Sequence, residues 1–157
     1  MPAPSRPLLC WVSVALSLAA LSGCAGGSAS VKQSAPHYPE AENLSHWPDE
    51  YPLPPDQDIG IAELGRTETS SVHIVQIRHR ESLHTHERHD LVAVLLRGYG
   101  TFRLGPRTFA VKQGSIVAVP RGMPHAFVNK SREVAAAFVV FTPPFDGTDT
   151  VPAADSP

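Results

Sequence analysis

An all-β fold, an antiparallel sandwich or barrel, is what this sequence predicts, and three observations carry the prediction. Apolar and β-branched residues come in short runs of strand length. Sixteen Pro and eleven Gly in 157 residues separate those runs, which disfavours long helices and suits turns. Beyond the N-terminus no stretch shows the i, i+3, i+4 apolar spacing of an amphipathic helix. The length leaves room for one domain and little more. A formal net charge of -2, with 18 % charged residues, offers no electrostatic footprint for nucleic acid, so none is expected as a partner.

Taken in chain order, strands are expected at 59–64 and 71–77. In the second, Val72, Ile74 and Gln76 alternate with His73, Val75 and Ile77. The continuous apolar run 91–96 is that of a strand buried on both faces. Gly98 and Gly100 allow a bend, and strands at 101–104 and 108–111 are joined at Gly105-Pro106, a hairpin signal. Further strands follow at 115–119, 126–128 and 134–141.

The N-terminus does not belong to that fold. Arg6 and the α-amine form a positive n-region, Leu8 to Leu21 an apolar core, and Leu21-Ser22-Gly23-Cys24 places small residues just before a cysteine. This is a signal peptide, residues 1–23, too short for a membrane span. The four residues LSGC resemble the lipobox of bacterial lipoproteins. That resemblance implies cleavage before Cys24, lipidation of its thiol and anchoring at the membrane. No Asp follows Cys24, which by the same resemblance favours the periplasmic face of the outer membrane. Cys10 leaves with the signal peptide, so the mature chain forms no internal disulfide. Residues 24–55, poor in core-forming side chains and rich in Pro, Ser and Ala, are expected as a flexible tether. Trp47 and Tyr51 are the residues that would pack it back on the domain at 56–145. A disordered tail is expected from 146 to 157.

The chemistry lies in two segments. In the stretch from Gly114 to Asn129, Pro120-Arg121-Gly122-Met123-Pro124 makes a rigid turn that delivers His125 to the next strand. In the other, His84 and His86 at i and i+2 of a strand point to one face. If the two hairpins face each other, three imidazoles converge, as a transition metal requires.

Gly114, Pro120, Gly122, His125 and Asn129 stand at the offsets of the second motif of the cupin superfamily. His84-x-His86 with Gly98 resembles the first motif. The fifteen residues between Gly98 and Gly114 match the spacing of small bacterial cupins. The resemblance covers roughly 58 to 143 and implies a double-stranded β-helix, or jelly roll. It also implies one divalent transition metal (Zn, Fe, Mn or Ni, to which the affinity order below adds Cu), a small-molecule ligand and a homodimer formed through edge strands.

Two positions depart from the family pattern. Arg78 stands where a Gly is usual, and the usual glutamate ligand falls on Leu91, which binds no metal. The expected site is therefore His84, His86 and His125, with Asp90 or His89 as the fourth group: a shorter gap favours Asp90, strand parity favours His89. No twin-arginine pair precedes the apolar core, so the metal is acquired outside the cytoplasm, where the affinity order favours Zn²⁺ or Cu²⁺. Two functions follow. One is a metal-dependent enzyme, a dioxygenase, isomerase or lyase acting on a small molecule. The other is a non-catalytic module that binds or senses a ligand or metal at the envelope. An ionisable group facing an open interior favours the enzyme; a sealed apolar interior favours neither.

Overall fold

A computed structural model describes residues 43–154. The signal peptide, Cys24 and the tether up to residue 42 lie outside the described residues, as do residues 155–157.

Among the described residues, ten strands follow one short helix. They are β1 (Ile59–Arg66), β2 (Ser71–Ile77), β3 (His84–Thr85), β4 (Asp90–Arg97), β5 (Tyr99–Leu104), β6 (Arg107–Lys112), β7 (Ile116–Val119), β8 (His125–Asn129), β9 (Ala135–Thr142) and β10 (Val151–Pro152). They form two five-stranded sheets, ordered β1-β2-β9-β4-β7 and β10-β3-β8-β5-β6. Every strand pair is antiparallel. This is the expected jelly roll, as two facing sheets that no strand pair joins into a closed barrel. β6 turns back from β5 at Gly105, whose φ of 56° suits the tight connection.

Alternation decides what lies between the sheets. Leu91 and Leu95 of β4, Val117 and Val119 of β7, and Phe102 and Phe127 of the opposite sheet point inward and are buried. Their burial is the main source of stability, at about 25 cal/mol per Å² of apolar surface. The run at 91–96 is not buried on both faces: Val92, between Leu91 and Ala93, is 43 % exposed. The first sheet is covered by chain at β1 and β2, and its outer side at β4 faces solvent.

The cover over β2 is the segment expected as tether. Helix α1 (Trp47–Glu50) seats Trp47, 8 % exposed, and Pro48 on the sheet. Gln76 donates to the Pro48 carbonyl at 2.9 Å, and Arg97 pairs with Asp49 at 2.6 Å. Arg78, in the place of a glycine, donates to the carbonyls of Gln57 and Pro54 at 3.1 and 2.9 Å. Residues 43–55 are therefore part of the fold, because their free carbonyls and one Trp find partners on β2 and just beyond it.

The expectation of a disordered tail from 146 is corrected likewise. β10 pairs with β3, placing Pro152 opposite His84 and Val151 opposite Thr85, and Ala153 donates to the Leu83 carbonyl at 3.0 Å. Asp149 is 4 % exposed. The edge of β3 would otherwise leave its backbone groups unpaired.

Candidate metal centre

His84 lies directly opposite His125 in the pairing of β3 with β8. His86, two residues on, shares the face of His84. Ring centroids are 4.2 Å apart for His84 and His125, 5.0 Å for His84 and His86, and 5.2 Å for His86 and His125. One ring nitrogen from each lies within 4.8 Å of the other two. The turn 120–124 does what its composition predicts. Gly122, at φ 71°, donates its amide to the His86 carbonyl at 2.8 Å, fastening the two motifs together.

Each imidazole is oriented by a backbone carbonyl. Nδ1 of His84 donates to Ser82 at 2.8 Å, Nδ1 of His125 to Met123 at 3.0 Å, and Nδ1 of His86 to Asp149. A carbonyl only accepts, so Nδ1 carries the proton in all three rings. Nε2 then holds the lone pair, and none of the three Nε2 atoms has a hydrogen-bond partner among the described residues. Burial pulls the pKa of each imidazole down, that of His125 to about 4, where the charges of His84 and His86 add to the effect. Three neutral rings with converging lone pairs fit a divalent transition metal.

Neither candidate for the fourth group joins the cluster. Asp90 turns outward and is held by Arg121, through the backbone amide at 2.8 Å and the guanidinium at 2.6 Å. His89 is buried, as its parity predicts, but its Nδ1 meets the Asp149 carboxylate at 2.5 Å and its Nε2 the Pro144 carbonyl at 3.2 Å. With both nitrogens engaged there, the ring stays outside the cluster of three. Leu91 points into the core at 7 % exposure, so the place of the usual glutamate is apolar.

Two residues gain roles that the sequence does not signal. Asp149 accepts from the amides of Glu87 at 3.1 Å and Arg88 at 2.8 Å as well as from His89, while its carbonyl orients His86. Burial alone would raise its carboxyl; the hydrogen bonds from His89, Arg88 and Glu87 outweigh this and hold it at about 2. Glu81, between β2 and β3, lines the cavity between the sheets, as do the three histidines. Burial raises its carboxyl to about 8, against a hydrogen bond with the Phe127 backbone.

That interior cavity holds about 100 Å³. A surface cavity of about 390 Å³ shares Glu81, His84 and His86 with it and is walled by Ile59, Ile61, Phe145 and Pro152. Glu81, His84 and His86 thus line both cavities, and His125 lines the interior one.

Comparison with known proteins agrees with this architecture. Residues 71–141 match the family described as Cupin domain. An uncharacterised protein of Aquifex aeolicus is 32 % identical over 95 residues, spanning 60 % of this chain and 78 % of that one. Among solved structures, BH2720 from Bacillus halodurans superposes with a TM-score of 0.60 at 16 % identity, covering 76 % of this chain and 93 % of that one. TT1209 from Thermus thermophilus gives 0.57 at 21 % identity, covering 68 % and 100 %. KdgF from Halomonas sp. gives 0.56 at 20 %, covering 62 % and 93 %. At these identities the structures attest the fold.

Proposed function

We propose that this chain, whose residues 71–141 match the family described as Cupin domain, is a metal-dependent enzyme acting on a small molecule, anchored at the cell envelope through Cys24. The observation that carries the enzyme reading over a passive binding module is that the three clustered histidines and Glu81 line one cavity.

His84, His86 and His125 would hold a divalent metal, which would supply a Lewis acid at the cavity. The protein's own residues do the rest. Backbone carbonyls of Ser82, Asp149 and Met123 keep the three rings in one tautomer. The apolar walls exclude water around the substrate. Glu81, which changes protonation near neutral pH, takes a proton from one substrate atom and returns it to another of the same molecule, ending as it began. This favours an isomerase or lyase over a dioxygenase, which needs no such carboxyl.

Lipidation of Cys24 places the domain on the periplasmic face of the outer membrane, where Zn²⁺ and Cu²⁺ are the favoured occupants. The test is metal analysis of the full-length chain, purified in detergent, beside the double variant His84→Ala with His125→Ala. Expected is about one metal per wild-type chain and near none in the variant. Equal content in both proteins ends the reading. Labelled palmitate, incorporated by the wild type and lost in Cys24→Ala, checks the anchor.

A further inference from the structure

The interior surface narrows the chemistry of what can enter. Its walls come from both sheets, with Ile77, Leu95, Val117 and Val139 on one side and Phe102 and Phe127 on the other. Besides the three imidazoles, the polar side chains on it are those of Glu81 and Ser115. The Ser115 hydroxyl already accepts from the Lys112 amide at 3.0 Å. Among the described residues, no lysine or arginine lines the interior or the surface cavity.

We infer that the molecule taken up is small and predominantly apolar, with a single oxygen function at one end that sits between the histidine cluster and Glu81. This rests on the reading of the site as a small-molecule metal centre and names its substrate class. An apolar cavity of roughly 150 Å³ stays dry and admits benzene, so an interior of about 100 Å³ is matched to a single small ring or a short branched chain. A longer apolar body continues into the surface cavity past Phe145 and Pro152. A sugar is excluded, because most of its hydroxyls would be buried against Val, Leu and Phe without partners. A phosphorylated molecule is excluded because no guanidinium or ammonium group is there to receive it.

The test uses the full-length chain loaded with cobalt(II), whose absorption spectrum changes when an oxygen function enters its coordination sphere. Benzyl alcohol, glucose and glucose 6-phosphate are titrated separately. Benzyl alcohol is expected to change the spectrum saturably, and the two sugars to leave it unchanged. Ala137, on the cavity wall, offers a second arm: Ala137→Leu fills the space and weakens benzyl alcohol roughly tenfold at unchanged cobalt content. Ala93→Leu does the same from β4, and the wild-type titrations decide alone should both variants fail to fold. A sugar response at lower concentration than that of benzyl alcohol overturns the inference. So does a benzyl alcohol response that folded Ala137→Leu leaves untouched. Both results leave the metal centre standing, whereas a chain that takes up no cobalt overturns the metal reading and this inference with it.

Discussion

Two groups of buried histidine lie side by side in this fold and are built differently. In the cluster of His84, His86 and His125, each ring has one nitrogen fixed by a backbone carbonyl and the other unengaged. In the neighbouring pair, His89 meets an acceptor at both nitrogens, and Asp149 has its carboxylate filled by three donors. The same aromatic wall serves both, since Phe141 and Phe145 pack edge-on against His86 and His89 alike. Burial therefore does not separate a ligand from a structural histidine. The number of ring nitrogens left over does, together with their convergence. His73 completes the lesson: it too has a buried nitrogen without a partner, but no second imidazole aims at the same point.

The largest effect expected from this contrast is on metal retention. His125→Ala should lower metal affinity by at least tenfold, while His89→Ala keeps the metal; equal losses in the two variants, measured by metal analysis after desalting, would erase the distinction. Next comes Asp149→Ala. It strands His89 and two amides in the interior, at about 3 kcal/mol of unfolding free energy, and by releasing the carbonyl that orients His86 it weakens metal binding roughly tenfold. Denaturant titration and metal competition read the two effects separately. His89→Ala should show the stability loss with little of the affinity loss.

A smaller effect concerns pH. The folded-state pKa of His125 is about 4 against 6.5 for an ordinary imidazole. Between those values the unfolded chain binds protons that the folded one does not, so the metal-free protein should lose stability as pH falls from about 6.5 to about 4. Thermal melts of the metal-free chain across this window check it; a flat profile contradicts the buried, neutral cluster. For Glu81 the sign is reversed. Its carboxyl is raised from 4.5 to about 8, so the folded state loses stability as pH rises through that range. Glu81→Gln should raise the melting temperature at pH 8 and leave it unchanged at pH 4.5, a stability gain of the kind that active sites forgo.

What could be read from the sequence divides along the same line. The eight longer strands announce themselves through apolar patterning and Gly or Pro punctuation, and the turn ending at Pro124 delivers His125 to the start of its strand through local geometry alone. Asn129 does more than end its strand: its amide donates to the carbonyls of Ile77, Arg78 and Glu133. The short elements were not legible. β3 and β10 have two residues each, too few for any period, and Asp149 meets His86 across 63 positions with no motif to announce it. Asp90 and His89 stand where the spacing predicts a fourth ligand. What diverts them is the Arg121 guanidinium and the Asp149 carboxylate, neither of which the spacing encodes.

The position of Asp149 also imposes an order in time. The three imidazoles belong to β3, β8 and the loop between β3 and β4, yet the carbonyl that sets the His86 tautomer comes from a residue made only after β9. Both sheets can form most of their pairs before His86 acquires its partner. A chain ending before residue 149 would thus hold two motifs in register with one ring unoriented. Completion of the centre waits on the last segment of the domain to fold.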